Sequence, residues 1–147
     1  MATIKARDIV VELEFGSNQV ESDAIPSYGA ISNYSCYCRS YSREDNYETY
    51  DLKSISDIYT KKYVTTRTAK VEIEVVANTV YATTLQNKSG YYVRVTATLP
   101  KGATDQVIVD EGVVVSTSMS VDLDGILTEK LSIELGAYGV TTPTSIT

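Results

Sequence analysis

The chain has 147 residues, 43% of them hydrophobic, and a formal net charge of −6. That length suits a single domain spanning 1–147, and the apolar content suffices for a packed core. No run approaches the ~20 apolar residues of a membrane span, and the opening MATIKARDIVVELEF lacks the apolar stretch and cleavage site of a signal peptide, so a cytosol-assembled chain with no membrane partner is expected.

In chain order, the first half-buried pattern is Asp8–Phe15, where Ile9, Val11, Leu13 and Phe15 alternate with Val10, Glu12 and Glu14, the period of a strand. Residues 16–30, with Gly16, Asn18, Asp23, Pro26 and Gly29, read as loop. A tyrosine-rich strand is predicted over Ala30–Tyr41. Its Cys36 and Cys38 point to one face about 7 Å apart, long for a disulfide, and read as free thiols. Residues 42–66 read as a long loop in a region rich in tyrosine: eight of the twelve tyrosines fall between Tyr28 and Tyr63. Tyrosine supplies large amphipathic contact area at low entropy cost, and a loop of this length is usually functional or mobile. Tyr47, Tyr50, Leu52, Ile55, Tyr59 and Tyr63 are therefore candidate inter-subunit contacts, against the plainer alternative that the loop packs on its own domain.

Thr68–Val76 alternates cleanly, with Val71, Ile73 and Val75 inward and Lys70, Glu72 and Glu74 outward. Asn78 is a good helix N-cap, Val80, Tyr81, Thr84 and Leu85 form a helical stripe, and Gly90 suits a left-handed cap. These predict a short α-helix at about residues 79–88. Tyr91–Leu99 resumes strand, Pro100-Lys101-Gly102 breaks it, and Gln106–Val109 reads as a short strand. The tail at 141–147 is polar and extended, with Pro143 expected to keep it out of a central strand. The total of about seven strands and one short helix is mainly β, a β-sandwich or rolled antiparallel sheet.

Val113–Leu135 is the most informative stretch, a long hairpin bending at Asp124-Gly125. A two-residue Asp-Gly turn pairs Leu123 with Ile126 and leaves both faces mixed, since a one-residue slip exchanges every face. A three-residue loop, Leu123-Asp124-Gly125 with Gly125 left-handed, restores order. One face then carries Val113, Val115, Met119, Val121, Leu127, Leu131, Ile133 and Leu135, with Thr117 and Glu129 as exceptions. The other carries Ser116, Ser118, Ser120, Asp122, Thr128, Lys130, Ser132 and Glu134, with Val114 as its exception. The charge is concentrated here too: residues 1–102 hold twelve basic and twelve acidic side chains, whereas residues 103–147 hold seven acids and only Lys130. An acidic chain without a basic run is a poor nucleic-acid binder, but it can form a surface that nucleic acid passes without sticking.

Signals of catalysis are close to absent. With no histidine there is no Ser-His-Asp or Cys-His constellation and no zinc set of the usual kind. Glycine-rich phosphate loops are missing. The carboxylate pairs Glu44-Asp45, Asp110-Glu111 and Glu72/Glu74 read as solvated edges, and Asp122–Gly125 is too short for a calcium loop. No catalytic residue, metal or cofactor is assigned.

The order of elements resembles the major tail tube proteins of tailed bacteriophages. The residues that carry the resemblance are the opening MATIKARDIVVELEF, the strand running into acid at YSCYCRSYSREDNYETYD, the strand–helix–glycine–strand KVEIEVVANTVYATTLQNKSGYYVRV, and the closing EGVVVSTSMSVDLDGILTEKLSIELGAYG. They span about residues 4–140 of the chain. The resemblance implies a virion structural protein, assembled in the host cytoplasm. Its subunits form rings, usually sixfold, that stack into a tube around a tape measure protein and passing DNA, beside other tail proteins. It further implies that Ser116, Ser118, Ser120, Asp122, Thr128, Lys130, Ser132 and Glu134 face the lumen. The alternatives are another ring-forming tail, head–tail connector or type VI-like tube component, and an immunoglobulin-like carbohydrate or adhesion module using the tyrosines as its platform.

Overall fold

The computed structural model describes residues 9–19, 27–34, 38–56, 58–76, 85–101, 103–136 and 143–147. Eight strands among them are β1 (Val10–Gln19), β2 (Tyr28–Asn33), β3 (Cys38–Leu52), β4 (Lys61–Val76), β5 (Tyr91–Leu99), β6 (Gln106–Val121), β7 (Leu127–Leu135) and β8 (Thr144–Ile146). They form one sheet in the order β2-β1-β5-β6-β7-β4-β3, with β8 on β6, and every ladder is antiparallel. The mainly β, rolled antiparallel expectation is met.

The sheet rolls because its two halves share one core. Val11 and Leu13 of β1 and Val93 and Val95 of β5 lie in the same buried cluster as Val71, Ile73 and Val75 of β4 and Leu131 and Ile133 of β7. Strands β1 and β4 have three strands between them in the sheet, so they meet only if it curls on itself and buries the apolar side of each alternating pattern. Strand β6 makes the corner. Its first half pairs with β5 and its second half with β7. Gly112 sits where the halves meet, and a Cβ there would lie 2.3 Å from the Glu134 carbonyl oxygen, so no larger residue fits. A bulge at Val115 follows, the usual device for re-aiming a strand.

That bulge corrects the predicted faces of the hairpin. The loop itself is as expected: Gly125 has φ of 78°, and Val121 pairs with Leu127 and Met119 with Glu129. Asp122 holds this loop by accepting the Asp124 and Ile126 amides on Oδ1 at 3.0 and 3.2 Å. Below the bulge the parity reverses. Val114, expected on the polar face, is fully buried, whereas Val115, expected in the core, is exposed.

Other expectations shift as well. The long loop predicted over 42–66 is instead most of a hairpin, β3 and β4 paired from Cys38↔Val75 out to Leu52↔Lys61. The predicted strand Ala30–Tyr41 is divided between β2 and β3, and Gln106–Val109 is the start of the 16-residue β6. The tail does join the sheet, since Ile146 pairs with Ile108 and Thr144 with Asp110. It occupies the β6 edge left open where β7 ends, and Pro143 contributes its carbonyl to the Glu111 amide at 2.7 Å. Most of the helix predicted at 79–88 lies outside the described residues; Leu85 and Gln86 are helical, Leu85 is in the core, and Gly90 has φ of 87°. Cys36 lies outside the described residues, and Cys38 is free and half-buried.

Two buried charges decide stability in opposite ways. Asp110 of β6 is fully buried and accepts from Arg43 Nε at 3.0 Å, Arg43 Nη2 at 3.2 Å and Thr144 Oγ1 at 2.7 Å. Its lone pairs are thus answered from two other strands. Glu129 of β7 is also fully buried, but among the described residues neither carboxylate oxygen has a hydrogen-bond partner. Burial raises its pKa, and the Gln86 amide beside it donates to the Ser118 carbonyl instead.

Asp110→Ala strands the Arg43 guanidinium and is expected to cost about 3–5 kcal/mol in urea unfolding, whereas Asp110→Leu with Arg43→Met recovers most of that loss. The Glu129 prediction runs the other way. A carboxyl whose folded pKa is raised stabilises fully below its unfolded value, roughly 4.3, and loses that contribution as pH rises through the folded pKa. Glu129→Gln is therefore expected to be more stable than the parent at pH ~7, with the difference closing as unfolding is measured toward pH ~4.

Candidate functional site

The half-sheet β3-β4-β7-β6 has one face on the core and one open to solvent, and register places the polar residues of four strands in rows on the open face. Ser42, Glu72, Ser132 and Ser116 form one row; Ser40, Glu74, Lys130 and Ser118 the next; Glu44, Lys70 and Glu134 a third. All eight residues predicted to line a lumen lie on this side. Ser116, Ser118, Ser120, Asp122, Lys130 and Glu134 are exposed, while Thr128 and Ser132 are nearly buried between neighbours. Thr128 and Ser120 share a hydroxyl hydrogen bond of 2.9 Å, and the Asp122 carboxylate is committed to its turn.

The sequence reading missed half of this face. Ser40, Ser42 and Glu44 belong to it, and so do Lys70, Glu72 and Glu74, which were read only as outward. The signal was the period-two run Ser40-Ser42-Glu44, obscured by a bulge at Arg39 between Cys38 and Ser40. Five carboxylates, Glu44, Glu48, Glu72, Glu74 and Glu134, share the face with three cations, Arg39, Lys70 and Lys130. Each cation has an acid beside it: Lys70 reaches Glu72 at 3.0 Å, Lys130 reaches Glu72 at 3.8 Å, and Arg39 reaches Glu74 at 3.9 Å. The Lys70 contact, then Lys130, holds the Glu72 carboxyl below its usual range, and Glu72 in turn raises Lys70.

Two hairpins leave this half-sheet at opposite ends. Strand β7 accompanies β4 only from Val76↔Thr128 to Lys70↔Glu134. Beyond that point β4 continues from Ala69 to Lys61 with β3 alone, about 30 Å of two-stranded ribbon. The β6–β7 turn lies at the other end. Tyr47, Tyr50, Leu52, Ile55, Tyr59 and Tyr63, the predicted contact residues, all sit exposed on the β3–β4 ribbon, and Ile58 and Val64 join them. Tyr50 and Tyr63 are cross-strand partners, and the Arg67 guanidinium stands 5.8 Å from the Tyr47 ring centre. An alternating ion chain stiffens the root: Arg43 lies 3.6 Å from Asp45, and Asp45 takes Arg67 at 2.8 and 2.6 Å through both oxygens. Those bonds hold the Asp45 carboxyl below its usual range, with Arg67 the main cause. Met119, Val121, Leu123 and Ile126 form a second exposed apolar group at the opposite tip.

Both lateral edges of the half-sheet are open among the described residues. On β3 no described strand lies beyond the β4 partner. On β6 the β5 ladder ends at Val113, after which, among the described residues, the Gly90 amide on the Val114 carbonyl (2.7 Å) and the Gln86 amide on the Ser118 carbonyl (3.0 Å) are the groups that cover the edge. No group of three residues suited to hold a metal is gathered among the described residues.

Neither a family model nor a curated protein matches the chain. Solved structures do. One is a chain of the tail of an empty gene transfer agent particle, computed with helical refinement and C6 symmetry: TM-score 0.56, 9% identity, covering 99% of this chain and 98% of that one. Another is a chain of the virion of a native gene transfer agent particle, with TM-score 0.57, 11% identity and 99% of each chain covered. At these identities the likeness is one of fold, and it runs end to end.

Exposed apolar groups of this extent mark contact surfaces. Ile55→Ser, Ile58→Ser and Tyr59→Ser combined are expected to leave the thermal unfolding midpoint unchanged and to weaken self-association in sedimentation velocity. Unaltered self-association would mean that the ribbon tip contacts nothing.

Proposed function

We propose that the chain is a structural protein of a phage-type tail, and within the tail the subunit of its tube. The observation that carries the proposal is the fold likeness over 99% of the chain to a chain of a tail with C6 symmetry. The geometry supports it independently. The open edges of β3 and β6 let neighbouring copies extend one half-sheet into the next, which answers the main-chain donors and acceptors that otherwise invite uncontrolled pairing. Closing that series into a ring brings the polar rows onto a continuous inner wall. Hairpins at opposite ends suit a heterologous, head-to-tail contact between successive rings, and such contacts build open filaments.

In this reading the lumen residues are Ser116, Ser118, Ser120, Lys130 and Glu134, joined by Ser40, Ser42, Glu44, Lys70, Glu72 and Glu74. A wall of hydroxyls with excess carboxylate repels phosphate and offers DNA or a tape measure protein no apolar hold. The partners are further copies of this chain, other tail proteins and the lumen contents; the location is the virion tail, assembled in the host cytoplasm; and the role is structural, not catalytic. A ring-forming connector that does not polymerise is the second reading, and the tip apolar groups at both ends argue for stacking over an isolated ring. Negative-stain electron microscopy of the purified chain is expected to show rings and stacked tubes. A strictly monomeric protein at high concentration overturns the proposal, and closed rings that never stack favour the connector.

A further inference from the structure

The polar face carries three cations, an arrangement at odds with a wall that releases phosphate. Lys70 is flanked across its strands by Glu44 of β3 and Glu134 of β7 and meets the Glu72 carboxylate at 3.0 Å. Lys130 is flanked by Glu74 of β4 and Ser118 of β6 and meets the same Glu72 at 3.8 Å. One carboxylate thus stands between the two lysines, in the row that otherwise consists of Ser42, Ser132 and Ser116.

The geometry points to Glu72 as the residue that makes this face non-adherent to nucleic acid, by occupying both lysines so that neither is free to contact a phosphate. The inference rests on the lumen assignment above and gives it a specific determinant. The lysines are not surplus. Eight ionised groups on three adjacent strands, β3, β4 and β7, would repel one another if all were acidic, and like charges directly opposite destabilise a sheet. Lys70 and Lys130 relieve that repulsion, at the risk of binding phosphate, and Glu72 removes the risk for both. A lysine ammonium is a compact donor set on a flexible stem, so a freed Lys70 or Lys130 has the reach to find phosphate on a passing strand.

The test is a fluorescence-anisotropy titration of a short labelled DNA duplex with the purified full-length chain, in the oligomer it forms, across a series of salt concentrations. The parent and Glu12→Gln, which removes the same charge on β1 of the other half-sheet, are expected to bind weakly or not at all. Glu72→Gln is expected to bind measurably, with a slope of log affinity against log salt of about −1.8 for each subunit that touches the duplex, the value for two phosphates neutralised. That slope corresponds to roughly a tenfold loss for each fourfold rise in salt. Glu72→Ser, which matches the serines on either side in its row, serves if the glutamine variant does not fold, and is expected to give the same gain. Adding Lys70→Ser and Lys130→Ser is expected to erase it. An equal gain from Glu12→Gln, or no gain from either Glu72 variant, overturns the inference and leaves the tube reading to electron microscopy. Strong binding by the parent removes both the inference and the lumen assignment.

Discussion

The buried contact between Arg43 and Asp110 is the constraint on which the rest of the structure depends. Arg43 lies on β3, the last strand of the sheet, and Asp110 on β6, the strand shared by both halves. The pair therefore spans the interior of the roll and fixes how far it closes. Two charges taken out of water cost several kcal/mol each unless their bonding capacity is met. Here the guanidinium approaches through two nitrogens, and Thr144 donates its hydroxyl to the same carboxylate. Apolar residues alone would leave the closure angle loosely specified, because the surrounding valines and leucines attract without direction. The directional pair sets it. Through Asp45 and Arg67 the alternation of charge continues outward along the ribbon, so the geometry fixed in the core also orients the exposed hairpin.

The same constraint explains what the sequence made legible and what it did not. Strands whose two faces differ in polarity, Tyr91–Leu99 and Thr68–Val76 among them, were readable because burial on one side writes period two into the residues. The β6–β7 turn was readable from face-matching, and Asp122 shows why: its side chain caps the three-residue loop, an interaction that a two-residue Asp-Gly turn would lack. Arg43 and Asp110 were invisible as a pair, since 67 residues separate them and each sits beside another charge in sequence. Bulges were the other blind spot. At Val115 a single extra residue reversed the parity of everything before it, so Val114 and Val115 exchanged environments. Alternation scored over a whole strand cannot detect such a reversal, because both halves alternate perfectly well on their own.

The region read as a long loop failed for a related reason. A ribbon exposed on both faces has no buried side to imprint a pattern, so DNYETYD carries polar and aromatic residues on either parity. An isolated two-stranded ribbon is marginal in water, and the cross-strand contacts here, Lys62 with Asp51 at 3.0 Å and Tyr50 facing Tyr63, are exposed ones of small individual worth. What the sequence did convey was composition: the tyrosines and isoleucines of residues 47–64 stood out as large apolar side chains whatever their backbone did. The six residues singled out on that ground are all exposed. Residue chemistry singled out the group, and only the fold could say that it is exposed on a ribbon directed away from the other exposed tip.

The candidate wall follows from this division between core and exposed elements. Its rows mix four strands that are not consecutive in the chain, so no local window contains Ser42, Glu72, Ser132 and Ser116 together; the hydroxyl character of one hairpin was the visible fragment of a face twice as wide. Once assembled by register, the face carries its charge in a particular order. Lys70 sits between Glu44 and Glu134 in its row, Lys130 between Glu74 and Ser118, and the row between them is hydroxyl except at Glu72. An acidic surface of this kind is costly for the fold in proportion to its self-repulsion, and interleaving lysines lowers that cost only if they stay paired. If the face lines a lumen as proposed, fold stability and phosphate repulsion place opposite demands on Lys70 and Lys130, and a single carboxylate within 4 Å of both is an arrangement that meets the two demands together.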